Sequence, residues 1–349
     1  MKNSLSIALC CLLIFVSTAT AANGDQARQW DRSAAMAAVQ SVDIDRAINQ
    51  AGNTLSLTDA RSTLDMLRQM ETRSDWPQPA REAALYRFTQ SLTALPRSAV
   101  AEEVMQYLQN YDVQTLVPQE DHGYSLVPLF NIRAAAAGVE NGWQRTEFAI
   151  QADEMLRKNP TALVSAYVDS NSHTQRSGYL DALRHADRTE VALVQRAALA
   201  QFDQASKLTR LVGETAAITN DTYAIEQLLI HGRGAGLSSA LRQLETQLDT
   251  AEAIELLVFA IQQAPSANAS LAIAAWWPGL RHEAVIRDLL VEKLADPNLG
   301  AAASLALAQQ PDVQTIKLLQ DTAEGNSVAA RRAQMALDIN RDLLNGEAR

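Results

Sequence analysis

A turn, a short helix rich in small residues and a second turn recur along this chain, and that recurrence restricts its fold more than any other feature. Asp296 to Leu307 reads DPNLGAAASLAL, and 30 residues on Asn326 to Leu337 reads NSVAARRAQMAL. Ala303 then aligns with Ala333, Leu305 with Met335, Ala306 with Ala336 and Leu307 with Leu337. Upstream, PSANASLAIA (Pro265 to Ala274) sets Pro265 against Pro297 at an offset of 32. Further upstream, PQPAREAAL (Pro77 to Leu85) sets Ala83 on Ala303 and Leu85 on Leu305. A period near 30 marks a repeat array. One helical hairpin of that length cannot bury its apolar face alone, and stacking on neighbours makes a continuous core. Small side chains at fixed positions let helices approach closely. Asp-Pro-Asn ends one helix and starts the next, because Asp caps and Pro is tolerated in a first helical turn.

Helix signals extend beyond this segment. Leu85, Phe88, Leu92 and Leu95 fall at i, i+3, i+7 and i+10, one face of a helix. Val100, Val104, Tyr107, Leu108 and Tyr111 line another. Between them Pro96 disfavours helical geometry at Leu95, and Ser98 caps the next helix. Ser56 and Asp59 have capping-box spacing, Asn159-Pro160 places a cap before a helical Pro, and Asp187 to Glu190 is an acidic start. No stretch alternates cleanly with β-branched enrichment, so the chain is expected to be all-α. His122 to Phe130 is the nearest exception, a loop with one extended segment that Pro128 interrupts.

The segment from Leu294 to Ile339 resembles the short HEAT-like repeats of α-solenoid proteins, whose run is an Asp-Pro turn, a helix with an A-x-x-A-L pattern, a turn and a second helix. Asp296, Pro297, Ala303, Ala306 and Leu307 match that run. The Arg usual in the first helix is Gly300 here and Ala330 in the next copy, which removes the expected ladder of Arg contacts between repeats. The resemblance is clear over about residues 260–345. It implies a right-handed superhelix of stacked antiparallel helical hairpins, about eight to ten of them if the period holds throughout. The family is an interaction scaffold and implies no particular activity.

At the other end, Lys2 precedes the apolar run Leu5 to Val16, and Ala19 and Ala21 stand as an A-x-A cleavage site. That pattern is a secretory signal peptide, too short for a membrane span, and places the mature chain in a periplasm or outside the cell. Both cysteines, Cys10 and Cys11, lie inside it, so the mature chain has no disulfide or thiolate metal site and depends on core burial. Residues 1–21 are thus read as signal peptide, 22–117 as N-terminal helical hairpins, 118–145 as a central irregular insert and 146–349 as HEAT-like repeats. The 29 basic residues left after cleavage face 40 acidic ones. Nucleic-acid binding needs a basic footprint that this balance lacks, and an anionic membrane surface would repel the chain.

Motifs for chemistry are few. His282-Glu283 would need a second His where Ile286 stands to form a zincin helix. The five histidines (122, 173, 185, 231, 282) lack metal-ligand spacing. GLSSA (Gly236 to Ala240) has neither the final Gly nor the strand of a serine elbow. HGRGAG (His231 to Gly236) has glycines without a preceding strand, so a phosphate cradle is not expected there and it reads as an inter-helix loop. No catalytic, cofactor or metal residues are therefore assigned. The central insert gathers Glu120, Asp121, His122, Tyr124, Phe130, Arg133 and Trp143 around Gly and Pro punctuation, and long loops on a rigid scaffold often carry binding, with a structural join between two sub-arrays as the alternative. Trp276 and Trp277 form a second candidate surface, because Trp is enriched at interface hot spots, with core packing as the alternative. Together these features describe an exported helical-repeat scaffold binding a protein or peptide of the cell envelope, its acidic surface suited to a partner with a basic patch. The competing class is a cell-envelope hydrolase drawing acid and base from Glu120, Asp121 and His122. Oligomeric state is open.

Overall fold

The computed structural model describes residues 28–57, 60–119, 125–202, 206–309 and 312–346. The expected signal peptide lies outside them, and so does Asp59 of the expected capping box. The chain is all-α: eighteen α-helices and one small sheet form among the described residues, packed as two units, Met1–Glu140 and Asn141–Arg349. No described helix is long and apolar enough to cross a membrane.

The first unit is built around α4. Helices α1 (Arg32–Gln40), α2 (Ile44–Leu57), α3 (Ala60–Thr72), α4 (Gln78–Ser91) and α5 (Ala99–Gln109) pack so that α4 touches each of the other four. Its sequence explains this position. Ala80, Ala83, Ala84, Leu85 and Phe88 are all fully buried, so α4 is apolar around most of its circumference instead of along one stripe. Leu92 continues that core in a 3₁₀ turn, and Ser98 caps α5 by accepting from the Ala101 N–H at 3.2 Å. A sheet of three short strands lies beside α4. Strand β1 (Arg28–Gln29) runs parallel to β2 (Thr115–Pro118), and β2 pairs antiparallel with β3 (Leu126–Pro128) in the register Val117 opposite Val127.

Of the segment expected to be irregular, 118 to 145, the described residues from Leu126 on are mostly regular. They form β3 and then, from Ile132, the longest helix of the described chain, α6 (Ile132–Lys158). Pro128 does not break the extended segment because β3 is an edge strand, where a missing N–H costs no ladder bond. Gly138 and Gly142 do not break α6. Each costs about 1 kcal/mol against Ala, and the run Ala134 to Ala137 with a cap from Asn131 Oδ1 to the Ala134 N–H (3.0 Å) outweighs them.

The second unit continues as six successive helix pairs: α7 (Ala162–Asp169) and α8 (His173–Leu183), α9 (Arg188–Leu199) and α10 (Thr209–Thr219), α11 (Thr222–His231) and α12 (Gly234–Glu245), α13 (Thr250–Gln263) and α14 (Ser266–Leu280), α15 (Ala284–Lys293) and α16 (Gly300–Ala308), α17 (Val313–Ala323) and α18 (Val328–Gly346). From α7 on, each helix touches the second one after it, so odd-numbered helices form one row and even-numbered helices another. Successive odd helices begin 26 to 34 residues apart, the spacing of a helical repeat. One hydrophobic cluster runs from Ala152 to Ala336. The 30-residue offset holds at the side-chain level: Ala303 and Ala333 are fully buried, whereas Leu305 and Met335 are 50% and 56% exposed.

The helix starts follow the sequence closely. Asp187 and Glu190 form a reciprocal capping box on α9. Asp296 accepts from the Asn298 and Leu299 N–H groups at 2.7 and 3.0 Å. Those bonds, with Leu299 first, hold its carboxyl below the ordinary range. The Asn159-Pro160 start is displaced: α7 begins at Ala162 with Thr161 as its cap residue.

Side chains from one repeat donate to backbone carbonyls of another, at or near helix C-termini, where intrahelical donors run out. Asn268 Nδ2 donates to Leu229 O (2.8 Å) and Gly232 O (3.1 Å), and Trp276 Nε1 to Leu241 O (2.9 Å). Arg332 Nη1 donates to Leu294 O (2.8 Å) and Asp296 O (2.5 Å). Gly300 does not, therefore, abolish Arg contacts between repeats. A Cβ there would collide with the Arg332 guanidinium, which reaches back from α18 over the space Gly300 leaves open. Elsewhere small residues set the spacing. A Cβ on Gly213 of α10 would lie 2.4 Å from the Ala240 Cβ of α12. Gly213→Ala is expected to destabilise the chain by about 1–2 kcal/mol, since overpacking exceeds the gain in helix propensity. Urea unfolding followed by far-UV circular dichroism measures it, and an unchanged or raised midpoint would show that the two helices separate at no cost.

Candidate functional site: a basic recess at three helix N-termini

Of the residues anticipated for binding, Glu120, Asp121, His122 and Tyr124 lie outside the described residues. Arg133, in the first unit, serves the backbone: its Nε donates to Tyr111 O at 2.6 Å, just past the end of α5, and its Nη2 lies 3.5 Å from Asp112. Phe130 packs on Tyr86 with ring centroids 5.8 Å apart. Trp143, in the second unit, is buried. Trp276 and Trp277 are each 1% exposed, so they are not surface anchors. Their indole N–H groups bond Leu241 O and Ala306 O, which makes the pair a wedge between α12, α14 and α16.

The second unit instead gathers charge where sequence reasoning assigned none. A recess of about 370 Å³ is lined by Tyr167 of α7, His173 and Arg176 of α8, Ser206 and Lys207 of the 3₁₀ turn before α10, Thr209 and Arg210 of α10, and Arg233, Ala235, Gly236 and Ser239 at the start of α12. The repeat explains the assembly. Helices α8, α10 and α12 are consecutive members of the even row, and all three bring their N-terminal residues to this recess. Each N-terminus carries the positive end of a helix dipole. No side-chain bond caps α10 or α12, so the first-turn amides are left to other partners. Gly234 opens α12 at φ +63°, a left-handed conformation that favours glycine.

Four permanent cations and one histidine therefore meet in a chain of net charge −10. Among the described residues none of the four is ion-paired. Arg176 Nη1 donates to Ser170 O (2.8 Å) and Lys207 Nζ to Val168 O (3.1 Å). Arg210 Nη1 lies 3.4 Å from Ser177 Oγ and 3.3 Å from His173 Nε2. Among the described residues Arg233 engages only through its backbone N–H, donated to Thr209 Oγ1 at 3.1 Å. Tyr167, 1% exposed, makes no hydrogen bond among the described residues. Burial pushes its hydroxyl pKa up, while Arg210 and Arg176 pull the other way.

A signal for this site exists in the sequence. Acidic residues are the favoured occupants of first helical turns, and cations there oppose the dipole. Arg176, Lys207, Arg210 and Arg233 all sit at or just before such turns. The first unit has a larger recess, about 480 Å³, lined by Val42, Asp43, Arg46, Gln50, Arg73 and Trp76 among others. Its charges are mixed, and Arg73 is already engaged by Asp75 (2.9 Å) and by the Trp76 ring (4.5 Å). Among the described residues no group of His, Cys, Asp and Glu is placed to hold a metal ion. The chain matches no protein-family model, no curated protein and no solved structure.

Proposed function

We propose that the chain is an exported, HEAT-like helical-repeat protein that binds a partner in the cell envelope and performs no chemistry of its own. The observation that carries this reading is the pair of helix rows, cross-tied by Asn268, Trp276, Trp277 and Arg332, with a basic recess built where three helices of one row begin. A frame whose repeats contact only near neighbours presents an extended surface, and such surfaces grip proteins and peptides. The recess supplies an anchor for an anionic group. The acidic remainder of the chain favours a partner that is basic around that group.

Two measurements test the reading. N-terminal sequencing of the protein recovered from a periplasmic fraction should begin at Ala22, after the Ala19-Thr20-Ala21 site. Size-exclusion chromatography of that fraction at low salt should carry the chain in a stoichiometric complex. A chain that keeps its N-terminal residues in the cytoplasm, or that elutes alone, overturns the proposal.

A further inference from the structure

The recess defines its ligand more narrowly than a partner surface does. We propose that it binds an oxyanion of the phosphate class, free or as a phosphomonoester. This deepens the reading of the recess as a binding site, and it stands on the recess's own donors, not on the identity of any protein partner.

Nearly every polar group lining the recess can donate. Arg176, Arg210 and Arg233 offer guanidinium N–H groups, Lys207 an ammonium, and the uncapped start of α12 its main-chain amides. Thr209, almost wholly buried, accepts from the Arg233 N–H, and its own proton has no acceptor among the described residues. The Tyr167 hydroxyl is in the same position, and Ser206 and Ser239 add two more. If the Arg210 contact to His173 is a hydrogen bond, Nε2 accepts it, which leaves the ring proton on Nδ1. No carboxylate lines the recess among the described residues.

Such a set suits a ligand that is all acceptor. A monocarboxylate brings one charge and two oxygens, and would leave most of these donors unmet. A phosphate dianion brings two charges and three or four oxygens in a tetrahedron, matching donors that arrive from three helix ends and a turn. Guanidinium forks fit phosphate oxygens in pairs, and helix N-termini add oriented N–H dipoles. The glycines of Gly234-Ala235-Gly236 let this backbone come close, as Gly-rich anion sites do, although a helix precedes them and not a strand.

The test uses the whole mature chain. Calorimetric titration with inorganic phosphate, against chloride at matched ionic strength, is expected to show one site and a raised unfolding temperature. Arg233→Glu should weaken the affinity by at least about tenfold, since one lost charged contact accounts for that much. The Arg233 side chain has no partner among the described residues, so its replacement leaves the fold intact; Arg210→Gln serves as a second variant. Arg242→Glu makes the same charge change in the last turn of the same helix and should leave affinity unaltered. Sedimentation with phosphatidylcholine vesicles, with and without phosphatidic acid, separates the sources. Arg233-dependent sedimentation with phosphatidic acid assigns the phosphate to a headgroup, and binding of free phosphate alone assigns it to a soluble ligand. The proposal is overturned if wild-type protein shows neither heat nor stabilisation, or if Arg242→Glu weakens binding as much as Arg233→Glu. Phosphate binding by a chain that elutes without a complex would refute the scaffold and leave this site standing. A stoichiometric complex formed by a chain with no affinity for phosphate would do the reverse.

Discussion

Replacing Trp277 with alanine is expected to cost about 4 kcal/mol of stability, the upper range for a buried large-to-small change. The side chain is among the largest fully buried in the second unit. It sits in α14 and its Nε1 donates to Ala306 O in α16 at 2.8 Å. Two losses therefore combine: the apolar transfer and cavity term of a whole indole, and a buried hydrogen bond between repeats. Ala306 O keeps the Gln309 N–H at 3.3 Å, so the carbonyl is not wholly orphaned and the second loss is the smaller. Trp277→Phe separates them. It retains most of the packing, removes the bond, and should cost about 1–2 kcal/mol. Urea titration followed by circular dichroism at 222 nm avoids the change in fluorescence. A cost below about 2 kcal/mol for the alanine variant would mean that the two helices collapse into the void, and that the Trp wedge does not hold the row together.

Glu82 is the corresponding prediction for the first unit. Its side chain is completely buried in α4, and its carboxylate accepts the backbone N–H of Gln114 at 2.6 Å and of Thr115 at 3.0 Å. Gln78 Nε2 adds a third bond at 3.0 Å. The carboxylate thus ties the start of β2 to the central helix, using amides that precede or begin the strand. Glu82→Leu leaves those N–H groups buried without an acceptor and should cost about 3–4 kcal/mol, the sum of two or more unsatisfied donors. Glu82→Gln is the sharper variant, because an amide can present only one acceptor oxygen to two N–H donors. Hydrogen exchange at Gln114 and Thr115 should accelerate in both variants, while amides of α14 and α16 keep their rates. Unchanged exchange at Gln114 would show that its N–H does not depend on Glu82.

These two residues also show where sequence reading succeeds and where it stops. Apolar periodicity points to the helix that carries Leu85 and Phe88, and the offset from Asp296 to Asn326 matches the burial of Ala303 and Ala333. Capping at Ser98 and at Asp187 with Glu190 was legible because it is decided within four residues. Glu82 was not, because nothing local distinguishes a buried glutamate from a solvated one; its partners lie 32 and 33 residues away. Glycines at 138 and 142 suggested punctuation, but flanking helix formers overrode them. Trp276 and Trp277 looked like surface anchors or core, and only their burial separates the two. The basic recess was missed for a related reason. Its cations are spread from Arg176 to Arg233, and they converge only because three repeats set their helix starts together. In HGRGAG the absence of a preceding strand argues against a phosphate cradle, but the glycines follow α11 and open α12, a context that the strand-led pattern does not cover.

Several of the bonds that cross between repeats run backward along the chain, whereas Trp277 reaches forward to Ala306 O. Asn268 completes the end of α11, Trp276 reaches back to α12, and Arg332 completes the end of α15. In each case the donor lies later in the chain than the acceptor. During synthesis these carbonyls emerge without their side-chain donors and gain them only when the later repeat arrives. Shortening the protein from its C-terminal side just before one of these donors would leave an incomplete last member with bare acceptors.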